Sequence, residues 1–192
     1  MEHERRFFTL DALKIEQRED GKTPTIRGHA AVFERLSDNL GGFREKIAPG
    51  AFDGVLGDDV RALFNHNTDL VLGRTKSGTL RLSVDSSGLV YEIDPPDTQA
   101  ARDLIASMQR GDIDQSSFAF SVDEDDWQED DEGRVIRTIL KFRRLYDVSP
   151  VTFPAYPDAK VGLRSLRTWQ AERSHYRNDL LKRRLDLAAL EC

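Results

Sequence analysis

Histidine is the scarce reactive side chain in this sequence, occurring only at His3, His29, His66 and His175. His3 and His175 lie in charged terminal segments and read as solvated surface. His29 opens a strand-like run, Arg27-Gly28-His29-Ala30-Ala31-Val32-Phe33, and reads as packed or half-buried. His66 differs. Val60, Ala62 and Phe64 alternate as on a strand with one face toward a core. That strand then runs out into Asn65-His66-Asn67-Thr68-Asp69, a polar cluster without apolar support. The end of a rigid strand is where reactive side chains are best presented. A histidine in an ordinary polar turn is the competing reading.

Serine candidates gather in Gln115-Ser116-Ser117-Phe118-Ala119-Phe120-Ser121-Val122. Period-two alternation puts Phe118, Phe120 and Val122 on one face and Ser117, Ala119 and Ser121 on the other. The aromatic face anchors the strand, and the small face leaves room for another chain to approach. Ser117 could equally be a small residue in a tight strand pair. The third group is Asp147, a lone carboxylate in the neutral run Leu145-Tyr146-Asp147-Val148-Ser149-Pro150-Val151-Thr152-Phe153. A carboxylate placed there loses solvation unless something pairs with it. A histidine suits that role, and Arg143 or Arg144 just upstream are the alternatives.

These residue types together describe acyl transfer. A hydroxyl is a poor nucleophile near neutral pH, so an imidazole must take its proton and later return it to the leaving amine. A carboxylate fixes the imidazole tautomer and stabilises the charge that forms. The chain order His, Ser, Asp neither supports nor excludes such a triad, since order varies among unrelated folds.

Other chemistries are poorly served. The carboxylates at 123–132 lack the spaced oxygen ligands and internal glycine of a calcium loop, and read as a solvated hairpin tip. There is no Gly-rich phosphate loop, and Gly41-Gly42 reads as a turn. The sole cysteine, Cys192, can form neither an internal disulfide nor half of a Cys-rich zinc site. No metal and no cofactor are expected. A formal net charge of -6 argues against direct nucleic-acid binding. No apolar run is long enough to span a membrane, and MEHERRFFTL lacks the apolar core of a signal peptide.

Several elements must position these residues. Leu80, Leu82 and Val84, then Leu89, Tyr91 and Ile93, flank Asp85-Ser86-Ser87-Gly88, predicting a hairpin over 79–94. A second hairpin is expected from Phe118 to Phe142, with DEDDWQEDDEG at its tip. Pro95-Pro96-Asp97-Thr98 stops one element and caps the next, a helix carrying Ala101, Leu104, Ile105 and Met108 and ending at Gly111. A short helical turn is expected at 49–56. From Arg164 to Cys192, seven basic and four acidic residues accompany Leu166, Trp169, Tyr176, Leu180 and Leu185 at helical intervals. That segment reads as an amphipathic helical extension, either packed on the domain or free to dock on a partner.

The same segments resemble the prohead proteases of tailed bacteriophages. Gly28-His29-Ala30-Ala31-Val32-Phe33 followed by Gly41-Gly42-Phe43-Arg44-Glu45-Lys46-Ile47-Ala48-Pro49-Gly50-Ala51-Phe52 is similar to the family's opening. Leu63-Phe64-Asn65-His66-Asn67 with Val71-Leu72-Gly73-Arg74 resembles the catalytic-histidine block. Gly111-Asp112-Ile113-Asp114-Gln115-Ser116-Ser117-Phe118-Ala119-Phe120 resembles the nucleophile block, and Asp147 to Pro157 the third block. The likeness is collinear from about 26 to 164.

The resemblance implies an α+β fold similar to the herpesvirus assembly proteases, a β-barrel surrounded by helices. Residues 1–163 would form the protease domain and 164–192 the extension. It implies a serine endopeptidase packaged inside the prohead in the host cytoplasm, with His66 as general base, Ser117 as nucleophile and Asp147 as orienter. Its partners would be the major capsid protein and its scaffold region, and the enzyme itself through autocleavage. A homo-oligomer is left open. Ser116 stands where relatives carry a larger apolar residue, and Ala119 where glycine is usual. Ser117 is preferred to Ser116 because its phase relative to Phe118 and Phe120 matches the family block. No arginine-bearing loop follows Asp147 as an oxyanion donor, and Arg74 is the remaining candidate. The competing functions are a capsid-binding assembly protein without turnover and a hydrolase of small esters. The absence of a Gly-x-Ser-x-Gly elbow around Ser117 counts against an α/β-hydrolase.

Overall fold

The computed structural model describes residues 3–9, 14–18, 23–153 and 160–190. Among these the chain is mixed α+β, mostly strands, with two α-helices and one sheet curled into a half-barrel. In order the strands are β1 (Glu4–Thr9), β2 (Lys14–Glu16), β3 (Thr25–Val32), β4 (Phe43–Ile47), β5 (Arg61–Phe64), β6 (Asn67–Arg74), β7 (Leu80–Val84) and β8 (Gly88–Ile93). The helix α1 (Gln99–Gln109) follows, then β9 (Gln115–Glu129), β10 (Val135–Val151) and the helix α2 (Lys160–Leu190). A six-stranded sheet runs β1-β9-β10-β5-β6, with β4 also paired to β10, and a four-stranded sheet runs β2-β3-β8-β7.

The long antiparallel hairpin of β9 and β10 is the spine. Its register shifts between Ile139 and Asp147, and such bulges bend and twist a strand pair. The far edge of β10 is shared: β4 runs parallel to it at Val135–Ile139, and β5 runs parallel to it at Asp147 and Val148. The acidic stretch expected at the hairpin tip is instead strand. Asp123 to Glu129 continue β9, and the tip is confined to residues 130–134, where Asp130 Oδ1 accepts the amides of Glu132 and Arg134. Basic residues on β10 explain the difference. Asp125 receives Arg137 Nε at 2.6 Å, and Asp123 receives Arg143 Nε at 3.3 Å.

The hairpin expected over 79–94 is β7 and β8, its turn held by Asp85 Oδ1 accepting the amides of Ser87 and Gly88. Thr98 caps α1 by accepting the Ala101 amide, Ala101, Leu104, Ile105 and Met108 are buried, and Gly111 takes a left-handed φ of 81° just past the helix. The Gly41-Gly42 turn is present, both amides donating to Asn39 Oδ1. Residues 49–56 form no helix. They make successive tight turns, with the amides of Ala51, Asp53 and Val55 each reaching the carbonyl three residues back. Pro49 and two glycines disfavour a continuous helix there.

The core lies between the sheets and under α1, with Phe118, Phe120, Phe142 and Phe52 packed at its centre by stacked and edge-on contacts, and Tyr91 and Ile26 supplied by the smaller sheet. A second apolar cluster joins Leu40 and Phe43 to Leu166 and Trp169, so the first turns of α2 pack on the domain. The boundary expected at 163/164 falls inside α2. Farther along, Tyr176 and Leu180 are exposed, while the Leu185 side chain and Cys192 lie outside what is described. No described helix is long and apolar enough to cross a membrane.

Beside Phe43 a buried ionic cluster joins β1, β4, β9 and β10. Arg6 bonds Glu45 at 2.8 Å and Glu4 at 2.5 Å, and Arg137 bonds Glu4 and Glu45 at 2.9 Å each. Burial lowers both guanidinium pKa values, but the surrounding carboxylates outweigh it and hold them above the ordinary arginine value. Arg137→Met would strand two buried carboxylates with a single cation. The expected loss is about 3–5 kcal/mol, read as a lowered urea midpoint.

Candidate active site

His66, Ser117 and Asp147, each chosen from sequence, meet at one end of the larger sheet. Ser117 and Asp147 come from the paired strands β9 and β10, where Asp147 lies opposite Ala119 and Ser149 opposite Ser117. The next strand along, β5, delivers the histidine. Asn65 and His66 form the two-residue link from β5 to β6, with φ of 54° and 55°. Positive φ at both central positions is what a tight hairpin with the natural strand twist requires. The turn is tied to β10: the Asn65 amide donates to the Pro150 carbonyl at 3.0 Å, and Asn65 Oδ1 accepts the Thr152 amide at 2.8 Å.

The distances form a continuous series. His66 Nδ1 is 2.5 Å from Asp147 Oδ1, and His66 Nε2 is 2.7 Å from Ser117 Oγ. An ionised carboxylate only accepts hydrogen bonds, so Nδ1 carries the proton and Nε2 is left to accept from the hydroxyl. The imidazole is enclosed, with a side chain 4% exposed, against 10% for the aspartate. Enclosure removes competing water and strengthens both bonds.

Ser149 is a fourth participant that sequence reasoning missed. Its hydroxyl donates to Asp147 Oδ1 at 2.8 Å and lies 3.4 Å from His66 Nδ1. The available signal was spacing, since a residue two positions along a strand shares its face. Ser149 thus holds the carboxylate that holds the imidazole. Ser149→Ala is expected to lower kcat by about 10–100-fold, the worth of one hydrogen bond to a charged group, with KM unchanged and Ser149→Thr restoring much of it.

The other candidate residues have partners of their own. Ser116 points the other way, its hydroxyl 2.7 Å from Tyr91 Oη in a fully buried pair. Burial pushes the Tyr91 phenol well above its usual pKa, so that ring stays neutral. Asp147 does not pair with the upstream arginines: Arg143 binds Asp123, and Arg144 sits over the Tyr146 ring. Arg74 is clamped by Asp59 through two bonds of 2.7 and 2.6 Å, which hold the Asp59 carboxyl down at about 2. His29 is half-buried and bonds Asp85 at 2.9 Å, while His3 and His175 are exposed. Among the described residues no group of three or more His, Cys, Asp or Glu could hold a metal ion. One expectation fails: Ser117 lies at 0% exposure, so the open approach anticipated on its small face is absent. The chain that comes near is β1, whose Arg6 carbonyl accepts from Ser117 Oγ at 2.9 Å.

A hydroxyl, an imidazole and a carboxylate in hydrogen-bonded series are an arrangement that serine peptidases use for acyl transfer. The chain belongs to the Caudovirus prohead serine protease family, whose family model matches residues 11–173. The prohead protease of Enterobacteria phage HK97 is a relative, 33% identical over 159 residues, which cover 80% of this chain and 66% of that protein. No solved structure matches.

Proposed function

We propose that the chain is a serine endopeptidase of phage prohead maturation, with Ser117 as nucleophile, His66 as general base and Asp147 as orienter. The observation that carries this reading is the single imidazole bridging Ser117 Oγ at 2.7 Å and Asp147 Oδ1 at 2.5 Å. His66 takes the hydroxyl proton as Oγ attacks a peptide carbonyl. The imidazolium, stabilised by Asp147, returns that proton to the departing amine. Water then enters, His66 deprotonates it, and the acyl-enzyme is hydrolysed. These steps need no metal or cofactor.

Family membership and the HK97 relative favour polypeptides of the assembling capsid as substrates: the scaffold, or a scaffold-like extension of the major capsid protein, and the chain itself. The work would take place inside the prohead, in the host cytoplasm. The catalytic unit is assigned to 1–163 and an accessory helical extension to 164–192, within a barrel-like fold of the herpesvirus assembly type.

The test is incubation of the full chain with capsid precursor in heavy-oxygen water, with fragments mapped by mass spectrometry. Hydrolysis predicts discrete new carboxyl termini carrying the heavy oxygen. An intact precursor would favour a capsid-binding protein without turnover, and cleavage of small esters alone would favour an esterase.

A further inference from the structure

Ser117 is sealed by the chain's own first strand. β1 lies antiparallel along the outer edge of β9, with Phe7 opposite Ser117 and Arg6 opposite Phe118. An extended segment paired to a strand edge, with a carbonyl at the nucleophile, is also how a polypeptide substrate would be presented by strand addition. We propose that β1 is an intramolecular occupant of the peptide-binding edge of β9, residues 115–120, and that extended polypeptide enters only when β1 leaves. The proposal rests on Ser117 being the nucleophile.

The contact is inhibitory rather than productive. Ser117 has one hydroxyl proton and two acceptors, His66 Nε2 at 2.7 Å and the Arg6 carbonyl oxygen at 2.9 Å. Whenever the carbonyl takes the proton, the imidazole cannot, and Oγ is not activated. The hydroxyl addresses the carbonyl oxygen as a donor instead of approaching its carbon, so β1 is held without being cut.

The attachment is also built to release. β1 contributes one acid and one base to the buried cluster, Glu4 and Arg6, so its departure removes no net charge. Arg137 then keeps Glu45 at 2.9 Å and Asp125 at 2.6 Å, and Glu45 keeps Arg137. No buried charge is left alone, the event that makes breaking such clusters costly. The space that Glu4 and Arg6 vacate is polar and can take water. Among the described residues β1 is also the edge strand of the larger sheet, paired only to β9. Its detachment leaves the β9–β10 ladder, which carries Ser117 and Asp147, paired.

The experiment locks the strand. Thr9 and Gln115 are directly opposed at the end of the β1–β9 register, where Cα separations suit a disulfide. Thr9→Cys with Gln115→Cys is made in the full chain, with Cys192→Ser to remove the native thiol. The same protein is then treated with a fluorophosphonate probe in oxidised and reduced forms, so folding is controlled internally. The reduced form should be labelled, and the oxidised form at least about tenfold more slowly, in proportion to the lost open population. Equal rates in the two forms would overturn the proposal, as would a reduced form that is never labelled. If labelling of the reduced form disappears in Ser117→Ala, the nucleophile assignment stands whatever the lock shows. Labelling that survives Ser117→Ala would overturn that assignment and the proposal with it.

Discussion

Ser117→Ala should yield a folded protein that cuts nothing. The lost atom is one hydroxyl oxygen in a strand that already accommodates alanine at Ala119, and the packing of Phe118 and Phe120 on the opposite face is untouched. Stability should therefore stay close to that of the parent. Activity should fall by about 10⁴–10⁶-fold, the scale of removing a nucleophile from a unit whose members act together. His66→Ala should be nearly as severe, and the double variant no worse than either single one. Ser116→Ala should behave in the opposite way. Its hydroxyl pairs with Tyr91 and not with the imidazole. Removing it should keep turnover and cost about 1–3 kcal/mol for a buried phenol left without its partner. Comparing adjacent serines in this way separates nucleophile from structural hydroxyl using fragment yield for one property and a denaturation midpoint for the other.

Asp147→Asn is the second large effect, an expected drop of about 10⁴-fold in kcat with the fold retained. An amide at this position can donate through its nitrogen to His66 Nδ1. The ring proton then moves to Nε2, and that nitrogen, facing Ser117 Oγ, can no longer accept the hydroxyl proton. The imidazolium formed during attack also loses its compensating charge. Since the carboxylate is almost enclosed, with a side chain 10% exposed, solvent screens that loss only weakly. Single-turnover measurements on the capsid precursor would locate the loss in the chemical step. A variant that slowed only product release would contradict the assigned role.

Much of this site was legible because its signals are local. Phe118 and Phe120 fix the phase of β9, and therefore the direction of Ser117, through simple alternation. The run Val60, Ala62, Phe64 followed by Asn65 and His66 announces a strand that ends in a polar turn, and positive φ at both turn residues is a local property of the hairpin. Asp147 was conspicuous because a lone carboxylate in a strand requires a partner. The parts that escaped depend on pairing across long stretches of chain. Nothing near Glu4 or Arg6 indicates that their side chains are buried at 2% and 4% exposure, because their counter-charges, Glu45 and Arg137, lie far away in sequence. For the same reason, the covering of Ser117 by β1 could not be anticipated. The acidic stretch 123–129 was misplaced at a tip since composition alone does not reveal that Arg137 and Arg143 lie across the ladder from it. Residues 49–56 read as a short helical turn, but successive tight turns and the Phe142 amide bonding to the Ala51 carbonyl at 3.0 Å hold them in a different shape.

The mechanism rests on which nitrogen of one ring carries the proton. Nitrogen NMR of the full chain with labelled histidine, assigned through His66→Gln, reads this directly. The expected spectrum has the His66 proton on Nδ1, strongly downfield and lost in Asp147→Asn, with Nε2 bare and sensitive to Ser117→Ala. A proton resident on Nε2, or a ring averaging between tautomers as free imidazole does, would contradict the account.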